Sequence, residues 1–201
     1  MESKFKIFAE LITKIVNSIH KELGAGFAED VYQNALAIEL RKYEINYLKE
    51  MNFEIFYKKH SVGLARLDFF INDKKLPNFI IETKSLQCLN DSARTQLARY
   101  LLSSQHNTDT ELKKTKYGVL INWPGSSVDS ENNFLTSKSA EVEFYLLKNE
   151  NNFSYRLLFI PETIGSIAYI AKNDLSHVVG GSVITCTAGP SKISLKEAFD
   201  N

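Results

Sequence analysis

The spacing of apolar residues changes period twice within the first 122 positions, and that change restricts the chain to a mixed α/β fold. Over 4–22, Phe5, Phe8, Ile12, Ile15 and Ile19 recur at steps of three and four, the stripe of an amphipathic helix. Gly24-Ala25-Gly26 should end it. A second helix is predicted from about 28 to 43, with Val31, Ala35, Leu36, Ile38 and Leu40 facing a core. Glu29 and Asp30 fall in its first turn, where carboxylates suit the positive end of the helix dipole. From 45 to 85 the period becomes two. Phe53, Ile55 and Tyr57 alternate with polar residues, then Leu67, Phe69 and Ile71 alternate with Arg66, Asp68 and Phe70. Asn72-Asp73-Lys74-Lys75 reads as a hairpin turn and 78–85 as the next strand. Helical spacing returns over 91–105, with Leu97, Leu101 and Leu102 inward, and YGVLIN at 117–122 is a short strand of the buried type.

The remainder is less regular. A polar stretch at 105–116 and a Ser- and Asn-rich loop at 124–139 flank that strand, and 143–147 with 153–160 reads as a hairpin. The expected order is α-β-β-β-α-β with extra C-terminal strands, residues 1–160 forming one domain and 161–201 an extension packed on it. No apolar run approaches the roughly 20 residues that span a bilayer, and the N-terminus lacks the apolar core and cleavage site of a signal peptide. Cys88 and Cys186 show no CxxC spacing, so no zinc knuckle or disulfide framework is expected. These features predict an intracellular protein, cytoplasmic or nuclear, with no membrane partner.

The chemistry concentrates on the strand ending Glu82-Thr83-Lys84. Glu82 and Lys84 are two apart and share a face, while Thr83 turns away. Asp68, on the preceding strand, comes beside Glu82 if the turn at 72–75 sets the register. Two converging carboxylates repel, and a divalent cation relieves them. Mg²⁺ takes about six hard oxygen ligands, so Asp68, Glu82 and the Thr83 carbonyl leave room for a water nucleophile and a phosphate oxygen. Lys84 would orient that water or offset phosphate charge. The acid-x-Lys spacing alone is common, for Glu2-Ser3-Lys4 and Asp73-Lys74-Lys75 share it. Glu82 and Lys84 differ in following the apolar run Phe79-Ile80-Ile81, where an unpaired charge is costly.

GAGFAEDVY contains Gly26-x-x-Glu29-x-x-Tyr32, and the flanks include His20-Lys21-Glu22-Leu23-Gly24, Ala35-Leu36, Glu39-Leu40-Arg41, Arg66-Leu67-Asp68, Glu82-Thr83-Lys84, Gln96 with Tyr100, and GVLIN at 118–122. Together, from about 12 to 123, these resemble the GxxExxY proteins of the PD-(D/E)xK nuclease superfamily. The resemblance implies a restriction-endonuclease-like core, a central mixed sheet flanked by helices. It also implies that Asp68 and Glu82 are metal ligands, Lys84 the catalytic lysine and Glu29 a further acidic residue near the metal, as in RecB-like relatives. Gln96-x-x-x-Tyr100 looks like the QxxxY motif of that branch, its spacing of four placing both side chains on one helix face. Leu67 stands where the superfamily name has proline, and the resemblance does not cover 105–116 or the chain after Trp123.

Each position also has a structural reading. Glu29 suits a helix start, Gln96 a surface amide and Arg66 an ion-pair partner for Asp68, with Gln96, Tyr100 and Arg66 together assigned to the substrate. Tyr32 is read as structural and His20 as a core or capping residue. His20, His60, His106 and His177 show no metal-ligand spacing, and Gly180-Gly181 is no phosphate loop. The formal charge is zero over 201 residues, yet 41–116 holds 14 Lys+Arg against 9 Asp+Glu. A neutral total is therefore compatible with a nucleic-acid partner bound on one face. The expected function is a Mg²⁺- or Mn²⁺-dependent nuclease, DNA favoured. The alternative is a non-catalytic nucleic-acid-binding or assembly protein retaining the fold, and the C-terminal region leaves room for a homo-oligomer interface.

Overall fold

The computed structural model describes residues 2–123, 125, 127–128, 134–135, 140–151, 154–160, 167–170 and 191–193. Four helices, α1 (Glu2–Leu23), α2 (Glu29–Lys42), α3 (Asp91–Ser104) and the short α4 (Thr110–Lys113), surround a sheet. Its strands are β1 (Tyr47–Tyr57), β2 (His60–Ile71), β3 (Phe79–Lys84), β4 (Tyr117–Asn122), β7 (Glu141–Asn151), β8 (Ser154–Ile160), β9 (Ile167–Ile170) and β10 (Ser191–Ile193), in that spatial order. Two further strands, β5 (Ser127–Val128) and β6 (Phe134–Leu135), pair with each other within the stretch expected to be loop. The sheet is mixed: β3 and β4 run parallel, joined through α3, and the other pairs are antiparallel. Most of 161–201, including Gly180-Gly181, lies outside the described residues.

Apolar residues on both faces explain why the central strands read as continuous hydrophobic runs. On one face α1 and α2 cover Phe69, Ile71, Phe79, Ile81, Val119 and Ile121. On the other, α3 packs Ala93, Leu97 and Leu101 against Phe70, Ile80 and Leu120. All six residues of β4 are buried. The inward stripe of α1 falls where its spacing predicts, and Phe5, Phe8, Ile12, Ile15 and Ile19 are buried. α2 differs. Its buried residues are Tyr32, Gln33, Leu36, Ala37 and Leu40, whereas Ile38 is exposed, because the face carrying two polar-tipped side chains is turned to the sheet. The polar stretch at 105–116 contains α4, which Asp109 caps by accepting from the amides of Glu111 and Leu112 at 2.8 and 3.0 Å. Leu112 joins the core from there.

Strict alternation fails at one point in β2. Leu67 and Phe70 belong to the α3 side but Phe69 and Ile71 to the opposite core, so the side-chain order reverses at Asp68. The partner strand reverses at the same place: Lys49 faces Phe69, Met51 faces Leu67, and Glu50 between them has a left-handed φ of 54°. Pairing of β2 with β3 stops at Phe69↔Ile81. Asp68 therefore sits where two strands part, which is where the site is built. No helix among the described residues is long and apolar enough to cross a membrane.

Candidate active site

Where the backbone ladder ends, side chains replace it. The Asp68 amide donates to Glu82 Oε1 at 3.3 Å instead of to a carbonyl. In return, the Thr83 amide and hydroxyl donate to Asp68 Oδ2 at 2.8 and 2.9 Å. The convergence expected of a hairpin register thus occurs, through a reciprocal exchange that fixes both carboxylates. Glu82 and Thr83 are fully buried on opposite faces of β3. Lys84 Nζ lies 3.9 Å from Glu82 Oε2, which also accepts from Gln96 Nε2 at 3.0 Å. Gln96 Nε2 donates as well to the Tyr100 hydroxyl at 3.0 Å, so the residues spaced by four on α3 meet at the site.

From the other face, α2 contributes Glu29 and Gln33. Gln33 Nε2 donates to Glu29 Oε1 at 3.2 Å and to Thr83 Oγ1 at 2.9 Å, linking the helix start through Thr83 to Asp68. The start of α2 is held by Tyr32. Its hydroxyl donates to the Gly24 carbonyl at 2.8 Å and accepts from the Phe27 amide at 3.3 Å, and its ring stacks on Trp123 with centroids 5.0 Å apart. Gly24 and Gly26, at φ of 73° and 97°, take the left-handed conformations that let the chain turn between α1 and α2. Within GAGFAEDVY, then, the glycines turn the chain, Tyr32 clamps the turn and Glu29 points into the site.

Charge is concentrated without full compensation. Burial, above all, holds the Glu82 carboxyl well above the usual carboxylate range; Asp68 and Glu29 add to this, while Lys84 and the Asp68 amide oppose it. Glu29 is also raised, by burial first and by Asp68, against Lys84, Thr83 and Gln33. Burial pushes the Tyr100 phenol up, with Glu82 and Asp68 adding to it. Glu29, Arg66, Asp68, Lys84, Gln96 and Tyr100 all line one cleft of about 900 Å³. A Mg²⁺ or Mn²⁺ ion suits this donor set in kind, because the half-buried Asp68 and the buried Glu82 offer hard carboxylate oxygens with Lys84 as the cation beside them. Among the described residues, no three His, Cys, Asp or Glu side chains are gathered tightly enough to hold a metal ion between them.

The sequence matches the model of the PD-(D/E)XK nuclease superfamily over residues 6–133. The chain belongs to that superfamily. The match extends through the 105–116 stretch and past Trp123, beyond the reach of the motif resemblance. A second match, to a domain of unknown function, covers residues 132–201. No curated protein matches this superfamily member. A solved structure titled "Crystal structure of SSO0001" aligns at 19% identity and a TM-score of 0.33, covering 56% of this chain and 48% of that one. The chain spans about half the length of that structure.

The structure brings together every sequence-selected site residue of this superfamily member, though not in equal standing. Asp68, Glu82, Lys84, Gln96 and Tyr100 form one connected network. Glu29 joins it through Gln33 and Thr83. Arg66 is exposed on the cleft wall and forms no ion pair with Asp68. Sequence reading missed Gln33, whose signal is the step of four from Glu29 along the helix, and Arg99, which shares the Gln96 face of α3 three residues on. It also missed the brace behind α3. Arg94 Nε and Nη2 donate to Glu143 of β7 at 2.9 and 2.6 Å, and these bonds raise the guanidinium pKa above its ordinary value.

Proposed function

We propose that the chain is a divalent-metal-dependent nuclease of the GxxExxY type, akin to the RecB-like branch, that hydrolyses phosphodiester bonds with DNA as the favoured substrate. The observation that carries this reading is the convergence of Asp68, which lines the cleft, with the fully buried Glu82 from two parting strands, with the cleft-lining Lys84 3.9 Å from Glu82. Asp68, Glu82 and the Thr83 carbonyl hold Mg²⁺ or Mn²⁺, with Glu29 as the nearby acid. Bound there, the cation supplies Lewis acidity and a coordinated water of lowered pKa. The chain's own residues do the positioning. Thr83 aims Asp68, Gln96 anchors Glu82, Lys84 orients the water or offsets phosphate charge, and Arg66 and Tyr100 face the substrate from the cleft walls. Residues 1–160 constitute the catalytic domain and 161–201 an extension of it.

Incubation of the purified chain with end-labelled linear, nicked and single-stranded DNA plus Mg²⁺ or Mn²⁺ tests the proposal. Cleavage by the wild type should fall by about 10²-fold or more in Glu82→Ala and in Lys84→Ala. If the wild type binds DNA without cutting it, or both variants cut as well as wild type, the enzymatic reading fails. The first outcome would identify a non-catalytic nucleic-acid-binding protein.

A further inference from the structure

We propose that the distal β1–β2 hairpin is an arm that grips nucleic acid away from the carboxylates and extends the footprint of the site. The proposal rests on the nuclease reading and adds a second contact to it. β2 pairs with β3 only over Phe69–Ile71, so among the described residues the ladder of Asn52–Tyr57 with His60–Arg66 is formed by β1 and β2 alone. At its base the arm is fixed to α3 by the edge-on contact of Phe53 with Tyr100, centroids 5.6 Å apart. A bond from Asn107 Nδ2 to the Glu54 carbonyl at 2.9 Å adds to this.

Three independent features mark the distal part. Its charge is mostly positive: 52–66, NFEIFYKKHSVGLAR, holds Lys58, Lys59 and Arg66 against one acid, Glu54, at the base. Its surface mixes these with exposed apolar side chains, Tyr57 at 61%, Val62 at 60% and Leu64 at 69% exposure, and Lys58 Nζ lies over the Tyr57 ring at 5.4 Å. Basic groups interleaved with aromatic and apolar ones suit phosphates and base faces together. The turn itself is strained. Lys58 and Lys59 have φ of 47° and 70°, in a two-residue turn where Asn-Gly is the comfortable choice. Two lysines held at that cost point to use of their charge.

The arm is continuous with the site. Ile55, Leu64, Ala65 and Arg66 line the same cleft as Asp68 and Lys84, opposite Thr95 and Arg99 of α3. Asp68 lies nine residue steps along the chain from Lys59. At about 3.4 Å per residue the tip stands about 30 Å from the carboxylates. That distance corresponds to about nine nucleotide steps of a helical strand at 3.4 Å each.

The test is the double variant Lys58→Asn/Lys59→Gly, which removes both charges and relieves the turn, so it should fold at least as well as wild type. Binding of fluorescent single-stranded and duplex DNA, of lengths from about 6 to 30 nucleotides, is followed by anisotropy in EDTA over a salt series. For long DNA, the slope of log affinity against log salt should shrink by about 1.4 on single strands or about 1.8 on duplex. For DNA shorter than the arm's reach, the difference between variant and wild type should vanish. Equal affinity and slope for wild type and variant at every length would overturn the arm while leaving the nuclease reading intact; the lysines would then only protect a bare strand edge. A wild type that binds no DNA at any length in EDTA would overturn the arm; the nuclease reading, whose cation EDTA removes, is decided by the cleavage assay.

Discussion

Replacing Tyr32 by Phe separates the clamp from the chemistry. The substitution keeps the ring and its stack on Trp123, so it avoids the cost of about 3–5 kcal/mol that emptying an aromatic site carries. It removes one well-formed hydrogen bond, hydroxyl to Gly24 carbonyl at 2.8 Å, and one long one, Phe27 amide to hydroxyl at 3.3 Å. At about 1 kcal/mol for the first and less for the second, the loss should be about 1–2 kcal/mol. For a chain of this size that lowers Tm by about 2–8 °C. Urea unfolding should show a lower midpoint with an unchanged slope. The turn released is the one that places Glu29, and a shift of about 1 Å there can cost up to about 10²-fold in cleavage. Cleavage lost at unchanged stability would refute the clamp and put the hydroxyl in the chemistry. If neither quantity moved, the two hydrogen bonds would carry nothing.

Two further outcomes follow from the same geometry. Because the folded state raises the Glu82 carboxyl above its ordinary value of 4.5, it binds that proton more tightly than the unfolded chain. The resulting stability is present below pH 4.5 and is lost as pH rises through the folded value, so the metal-free protein should weaken over that window. Glu29 contributes with the same sign. Urea midpoints measured across pH in EDTA should show this decline in wild type and a flatter profile in Glu82→Gln. Asn122→Ala tests the support behind the strand. Asn122 accepts from the Leu86 amide at 2.8 Å and donates to the Leu86 carbonyl at 3.1 Å, holding the segment after Lys84. Losing both bonds, with the half-buried Leu86 carbonyl keeping the Gly125 amide at 3.3 Å, should cost about 1–3 kcal/mol in chemical denaturation.

Much of this architecture is legible in the sequence, because α1, α3 and β4 bury complete stripes or runs that leave an unambiguous period. The convergence of Asp68 with Glu82 is legible only in part: a turn confined to 72–75 would oppose Ile71 to Leu76, whereas Ile71 faces Phe79 across a connection of 72–78, and that longer loop carries Asp68 to Glu82. What escaped has specific causes. The face of α2 was misjudged at Ile38 because Tyr32 and Gln33 bury polar tips that find partners only across the fold, at Gly24 and Thr83. The reversal at Asp68 depends on a left-handed Glu50, a residue type with no propensity for that conformation. Lys58-Lys59 carries none of the usual hairpin signals. The Arg94–Glu143 brace joins residues 49 apart in the chain, beyond any local pattern.

The proposed function requires that Asp68 and Glu82 form the two halves of one divalent-cation site. Titration of the protein with Mn²⁺, followed by the loss of the free-ion EPR signal, tests it most directly. Saturable binding is expected in the wild type and should be abolished in both Asp68→Asn and Glu82→Gln, each shown to be folded. Saturable binding that survives unchanged in both variants, or none in the wild type, would contradict that requirement.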